Sequence, residues 1–456
     1  MSVRVVLVRH GESTFNISQR IQGRSDHSRL TERGQAQADC TSKALADLAI
    51  DLAYCSPLSR AHETAQRIMV AHPHVELQKS DNLREIDLEA WAGLTFTEVQ
   101  AQFPEAYRCW REDPIHLKVG EHFPVLELWE QAQQFWQDLA TTHPDMTNHA
   151  CGDPTLTLLL VGHSAINRAL ISTALGVGPE FFQQLGQSNC GISVLNFPKG
   201  LSHLGQPGLG QPGSAQLESV NQTAHLGEPL PQKKDGLRIL LVRHGETDWN
   251  REQRFQGQRD IPLNGTGEAQ AQTAADFLSH QRIDIAFSSP LKRPWATAEA
   301  IRQRHNGLEL IPIDLLQEIS HGTWEGKLQG EIEAEFPGQL QQWQAQPETV
   351  QMPDGENLDQ VWQRTGAAWE TILTKATDQG PDTIALVVAH DAINKAAIAR
   401  LFNLSPASFW CFKQGNGAVT VIDYPQGSQG MAVLRACNIT AHLSGGILDC
   451  TAAGAL

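Results

Sequence analysis

The strongest constraint on the fold is that the chain is written twice. VVLVRHGESTFN near the N-terminus returns as ILLVRHGETDWN, RIQGRSDHSRLTERGQAQA as RFQGQRDIPLNGTGEAQAQ, and YCSPLSRAHETA as FSSPLKRPWATA. LREIDLEAWAGLT, QFPEAYRCW and LLLVGHSAIN then return in the same order as LQEISHGTWEGKL, EFPGQLQQW and ALVVAHDAIN, at a nearly constant offset. A repeat of domain length calls for two copies of one folding unit, and 456 residues are enough for two cores. The Gly/Pro/Gln-rich stretch at about 199–214 looks like a linker, yet QLESVNQTAHL after it matches VLRACNITAHL near the C-terminus. It is therefore read as a hairpin loop inside domain 1 (1–226), with the linker at 227–236, domain 2 at 237–443 and a tail at 444–456.

Within each copy, short apolar runs such as VRVVLV and TLTLLLVG are bounded by turn residues, as in strands buried on both faces. Longer helical patterns lie between them. LTERGQAQADCTSKALADL offers Thr31 as N-cap and Glu32 in the first turn, and LNGTGEAQAQTAADFLSH reads similarly. Strands alternating with helices predict an α/β fold of two tandem three-layer α/β/α sandwich domains around mainly parallel sheets.

The formal net charge of -16 disfavours nonspecific binding to nucleic acid or anionic membrane, so an anionic substrate needs local positive charge. Eight scattered cysteines without a C-x-x-C pair point to reduced thiols. The N-terminal apolar run, broken by Arg4 and Arg9, lacks the core of a signal peptide, and no stretch approaches a membrane span. A cytoplasmic location is expected.

Arg9-His10-Gly11-Glu12 and Arg243-His244-Gly245-Glu246 stand where a central strand would end, the place where open α/β sheets bind ligands. His163 and His390 also follow directly on apolar runs, and Arg60 and Arg293 sit in S-P-L turns opening helices. Two guanidiniums and two imidazoles per copy make an anion pocket suited to phosphate. Glu85 and Glu318 offer a proton donor for a departing alkoxide, with Asp87, Glu89 and Glu325 nearby as alternatives. Other histidines (His27, His62, His72, His74, His321) lack paired ligand spacing and are read as surface or locally hydrogen-bonded groups; neither catalytic metal nor cofactor is expected. Trp91 and Trp324 are read as packing residues. The copies differ where unit two has MPDGENL against HFPVLEL, an alignment that sets Gly355 on Leu126 and Glu356 on Glu127.

Taken in order and twice over, R-H-G, S-P-L-x-R, the acid in L-x-E-I, and G-H-S or A-H-D resemble the histidine phosphatase (phosphoglycerate-mutase-like) superfamily over nearly the whole chain. The resemblance implies that His10 and His244 are nucleophiles forming phosphohistidines. It also implies that Arg9, Arg60, His163, Arg243, Arg293 and His390 bind phosphoryl oxygens, while Glu85 and Glu318 act as acid and then base. Asn16, Gln22, Gly23, Asn250, Gln256 and Gly257 fall at further phosphate-contacting positions. The segments EIDLEAWAGLT and EISHGTWEGKL resemble the phosphatase branch more than the mutase branch. HSAINRALISTALGVGPEFFQQLGQSNCGISVLNF resembles double-unit members of plants and cyanobacteria, which implies a sugar-type phosphate. The expectation is a metal-independent phosphomonoesterase whose partner is a small phosphorylated metabolite, with a phosphoglycerate mutase or a phosphometabolite-binding regulator as alternatives. The oligomeric state is not legible.

Overall fold

The computed structural model describes residues 2–143, 155–201, 215–444 and 446–448. The chain divides into two compact units, Met1–Pro229 and Leu230–Leu456. In the first, β1 (Val3–Arg9), β2 (Leu52–Cys55), β3 (Leu77–Lys79), β4 (Leu156–Gly162), β5 (Ile192–Phe197) and β6 (Gln216–Gln222) follow one another in sequence. Their order across the sheet is β3-β2-β4-β1-β5-β6. β3, β2, β4 and β1 run parallel; β5 and β6 add an antiparallel edge. The antiparallel β5–β6 pair brackets the proposed hairpin loop, whose residues 202–214 lie outside the described residues. Most of the tail lies outside them too.

The second unit repeats this plan with β7 (Leu237–Arg243), β8 (Ile285–Ser288), β9 (Leu310–Pro312), β10 (Ile384–Ala389), β11 (Val419–Tyr424) and β12 (Val433–Ile439), ordered β9-β8-β10-β7-β11-β12. Here the physical origin of the layers is plain. Leu240, Val242, Leu386 and Val388 pack in one core cluster with Ala271, Ala275, Ala298 and Ile301 of the helices Gly265–Leu278 and Lys292–Arg302. Strand side chains alternate between faces, and the intervening Ile239, Leu241 and Val387 are just as buried. The opposite face is therefore covered as well, by the helices Leu358–Asp378 and Asp391–Leu401. Burying each such aliphatic side chain is worth about 1.5–3 kcal/mol, which explains why these strands are continuous apolar runs.

Local signals also appear where expected. Thr31 Oγ1 accepts the Gly34 N–H at 3.0 Å and caps the helix Glu32–Leu45, and Asn264 does the same for Gly267 at 2.9 Å. Trp91 and Trp324 are buried packing residues. Among the described residues no helix is long and apolar enough to cross a membrane, and all six described cysteines are free.

Two readings need correction. Trp129 donates to the Val177 carbonyl and Trp362 to the Leu404 carbonyl, so these indoles are equivalents and the helices Pro124–Thr142 and Leu358–Asp378 align on them. Glu127 then matches Gln360, and Glu356 matches Phe123. The slip arose because the G-E-N-L and V-L-E-L strings match in letters while lying one helical turn apart. His321 is not a surface group: it is fully buried against Phe255 and Trp343 with neither ring nitrogen hydrogen-bonded to protein, and burial pulls its pKa down to about 3.

Candidate active site

Parallel pairing of β1 with β4 sets Arg9 opposite Gly162, so His10 and His163 leave the sheet side by side. Their ring centroids are 5.1 Å apart, and those of His244 and His390 are likewise 5.1 Å apart beyond β7 and β10. All four imidazoles are buried. His10 Nδ1 lies 2.7 Å from the Gly11 carbonyl and His244 Nδ1 2.7 Å from the Gly245 carbonyl. A carbonyl only accepts, so Nδ1 carries the proton and Nε2 keeps its lone pair. Burial first, then Arg60 and Arg9, hold His10 well below the usual histidine range; burial, Arg293 and Arg243 do the same to His244. At neutral pH both rings are neutral with the lone pair on Nε2, which on His244 accepts from Arg293 Nε. His163 and His390 are held through Nε2 by Ser56 Oγ (2.8 Å) and Ser289 Oγ (2.9 Å).

The arginines are fixed by backbone carbonyls. Arg60 donates to Gly23 and Ser25 (2.9 Å each), Arg293 to Gly257 (2.7 Å) and Arg259 (3.0 Å), Arg9 to Gln187 (2.6 Å) and Arg243 to Gln414 (2.5 Å). Arg293 Nε also points at His244 Nε2, 3.3 Å away. Burial lowers Arg60 and Arg293 to about 10, which leaves both cationic at neutral pH. Arg9 Nε, Arg60 Nε and Gln256 Nε2 are buried donors without a protein acceptor. Buried donors nearly always have partners, so Arg9 and Arg60 in the first unit, and separately Gln256 in the second, suit an anion. Asn16 and Asn250 face the loops that follow His10 and His244, and Gln22 and Gln256 accept from Ser13 (3.1 Å) and Thr247 (2.7 Å).

Each candidate acid sits at the start of the helix that follows the second histidine. Glu85 accepts from Ala165 N (3.0 Å), Ile166 N (3.3 Å) and its own neighbour Ile86 N (3.0 Å). Glu318 is more buried and accepts from Ile319 N (3.0 Å) and, weakly, Ala392 N (3.5 Å). The alternatives fall away: Asp87 pairs with Arg24, Glu89 is exposed, and Glu325 is committed to the Gln258 and Arg259 N–H groups at 2.9 Å.

Sequence reasoning missed the groups behind these residues. Asn189 donates to the His10 carbonyl (3.0 Å) and to Asn16 Oδ1 (3.1 Å), and Asn416 repeats this with His244 and Asn250 (3.1 and 3.3 Å). Thr64 and Thr297 accept the N–H of Gly11 and Gly245. Their signal was present: each occurs at the same place in both copies. The glycine of R-H-G has a steric reason too, since a Cβ on Gly11 would lie 2.3 Å from the Gly34 carbonyl oxygen, and on Gly245 equally close to that of Gly267. Gly245→Ala should destabilise the chain by about 1–3 kcal/mol, measured by denaturant melts.

The second unit carries a buried carboxylate that the first lacks. Asp391, where the first has Ser164, lies 2.6 Å from Lys395 Nζ and 3.5 Å from Arg243 Nη1. Burial, and then Asp391, raise Glu318 to about 7, against the lowering pull of the Ile319 N–H, Arg293 and Arg243. The raised pKa keeps the Glu318 carboxyl protonated up to about neutral, so turnover by the second unit is expected to fall as pH climbs through about 7. In a His10→Ala background, Asp391→Asn should move that alkaline limb to lower pH. The same shift makes Glu318 favour the folded state fully below the ordinary carboxyl range and lose that contribution as pH rises through about 7. Glu318→Gln should therefore melt higher than wild type at pH 8 and not at pH 4.

A family model, the histidine phosphatase superfamily (branch 1), matches residues 5–205 and again 239–437. The chain belongs to the histidine phosphatase superfamily. Both copies of this tandem histidine phosphatase bring two imidazoles together at the strand ends. The 2-carboxy-D-arabinitol-1-phosphatase of Triticum aestivum is 33% identical over 96% of this chain and 86% of its own length. A probable 2-carboxy-D-arabinitol-1-phosphatase of Arabidopsis thaliana is 32% identical over 96% and 88%. Phosphoserine phosphatase 1 of Hydrogenobacter thermophilus is 33% identical over 45% of this chain and 94% of its own. Among the described residues no group of three or more His, Cys, Asp or Glu is placed to hold a metal ion.

Proposed function

We propose that both units hydrolyse small sugar-type phosphate monoesters through a phosphohistidine, with a 2-carboxylated pentitol 1-phosphate such as 2-carboxy-D-arabinitol 1-phosphate as the leading substrate class. The observation that carries this reading is the neutral, buried imidazole with its lone pair on Nε2 beside two arginines, built twice. His10 or His244 Nε2 attacks phosphorus as the ester P–O bond breaks. Glu85 or Glu318 gives its proton to the departing oxygen. Water then attacks the phosphohistidine, the same carboxylate takes the water's proton, and the P–N bond breaks to release phosphate. Arg9, Arg60 and His163, or Arg243, Arg293 and His390, carry the charge on the phosphoryl oxygens. Asn16, Gln22 and Gly23, with Asn250, Gln256 and Gly257, shape the rim of the phosphate pocket. The substrate class rests on the similarity to the two plant proteins, which runs the length of the chain. Domain limits of 1–226 and 237–443, joined at 227–236, complete the reading.

The test is turnover of a sugar-phosphate panel in ¹⁸O-labelled water with EDTA present. Every phosphate released should contain one labelled oxygen. Phosphate appearing instead on a hydroxyl of added phosphoglycerate would replace this reading with a mutase.

A further inference from the structure

The segment bearing the candidate acid is clamped in both units at the same carbonyls, but by exchanged side chains. In the first unit Gln131 Nε2 donates to the carbonyls of Asn82 (3.1 Å) and Arg84 (2.8 Å), while Arg24 Nε reaches the carbonyl of Glu85 itself (3.2 Å). In the second, the equivalent carbonyls of Leu315 (2.9 Å) and Gln317 (2.5 Å) are taken by Arg364, at the helix position of Gln131. The Glu318 carbonyl is shared by Arg364 (3.0 Å) and Gln258 (3.1 Å), and Gln258 stands at the position of Arg24. Arginine and glutamine have traded elements.

The neutralising carboxylate has moved with the guanidinium. Arg24 pairs with Asp87 at 3.1 Å, and also donates to Gln131 Oε1 at 2.8 Å. Arg364 forms a two-pronged pair with Glu356 at 2.7 and 2.9 Å. Where the first unit has Asp87 the second has Ser320, whose N–H donates to Glu356 (2.9 Å), and where the second has Glu356 the first has the exposed Phe123. Four positions thus differ together while every clamped carbonyl is kept. Side-chain exchange that preserves all the acceptors marks the acceptors as what matters, and they are the peptide groups that aim the Glu85 and Glu318 carboxyls.

We propose that Arg24 with Gln131, and Arg364 with Gln258, are positioning pairs that hold the acid for proton delivery to the leaving oxygen, and that the two arrangements are interchangeable as whole sets. The proposal rests on the acid role of Glu85 and Glu318 given above. Loss of aim by an ångström costs up to about a hundredfold in rate, whereas a leaving group that departs as a stable anion needs no proton.

The test uses the full chain with His244→Ala, so that only the first unit turns over, and compares a sugar phosphate with 4-nitrophenyl phosphate. Arg24→Gln should lower kcat/KM, which reports the step in which the leaving group departs, about tenfold or more for the sugar phosphate and leave kcat/KM for 4-nitrophenyl phosphate nearly unaffected, at an unchanged melting temperature. The four-position exchange R24Q/D87S/F123E/Q131R, which copies the second unit, should restore most of that loss. Glu85→Gln is the control and should show the same leaving-group pattern more strongly. If Glu85→Gln shows the pattern but Arg24→Gln slows both esters equally, or the exchange restores nothing, the positioning role is overturned and the acid stands. If Glu85→Gln itself shows no leaving-group dependence, the acid assignment fails and takes this proposal with it.

Discussion

Changing His10→Ala together with His244→Ala is expected to lower kcat/KM toward alkyl phosphates by about 10⁴-fold or more, roughly 5 kcal/mol of transition-state stabilisation. Each single change should remove one unit's share and leave the other's, because each unit has its own paired imidazoles, arginines and acid. The reason for so large a loss is local. Nδ1 of each ring is tied to the next residue's carbonyl, which fixes the ring plane and leaves Nε2 as the sole basic nitrogen. The neighbouring His163 and His390 are held differently, through Nε2 on serine. Steady-state kinetics on the three variants checks this. Total loss in either single variant would exclude two independent sites.

The second large effect is expected at Arg60 and Arg293. Each is fully buried with its fork closed on two carbonyls, so the cation is aimed in advance and pays no reorganisation during transfer. Arg60→Lys in the His244→Ala chain, or Arg293→Lys in the His10→Ala chain, should lower kcat about 10²–10³-fold, since a lysine cannot serve both carbonyls and the phosphoryl oxygens at once. Vanadate or inorganic phosphate affinity should fall in parallel, measured by inhibition. A change in stability without a change in phosphate affinity would mark these arginines as structural only.

What the sequence disclosed and what it hid follow from different physics. The repeat, the buried strands and the Arg-His pairs at strand ends were legible because burial on two faces forces continuous apolar runs, and the chain breaks from them only where chemistry begins. Thr31 was legible because a helix N-terminus has unsatisfied N–H groups that few side chains can cap. Asn189, Thr64 and Ser56 were hidden because their partners lie far along the chain and small polar residues look alike in loops. Comparison of the copies would have found them, as Asn416, Thr297 and Ser289 hold the same places. The exchange of Arg24 and Gln131 for Gln258 and Arg364 was invisible for the opposite reason: comparison position by position shows only differences, and their shared purpose is set by carbonyls that the letters do not record. His321 escaped because an imidazole sealed among aromatic rings has the same letter as one on the surface.

The central claim is that two separate imidazoles carry the phosphoryl group, and rapid quenching of turnover with ³²P-labelled substrate, followed by alkaline peptide mapping, measures it most directly. Label that is stable in alkali, labile in acid and found on the peptides containing His10 and His244 is the expected result. Undiminished turnover in the double alanine variant, or label on any other residue, would contradict it.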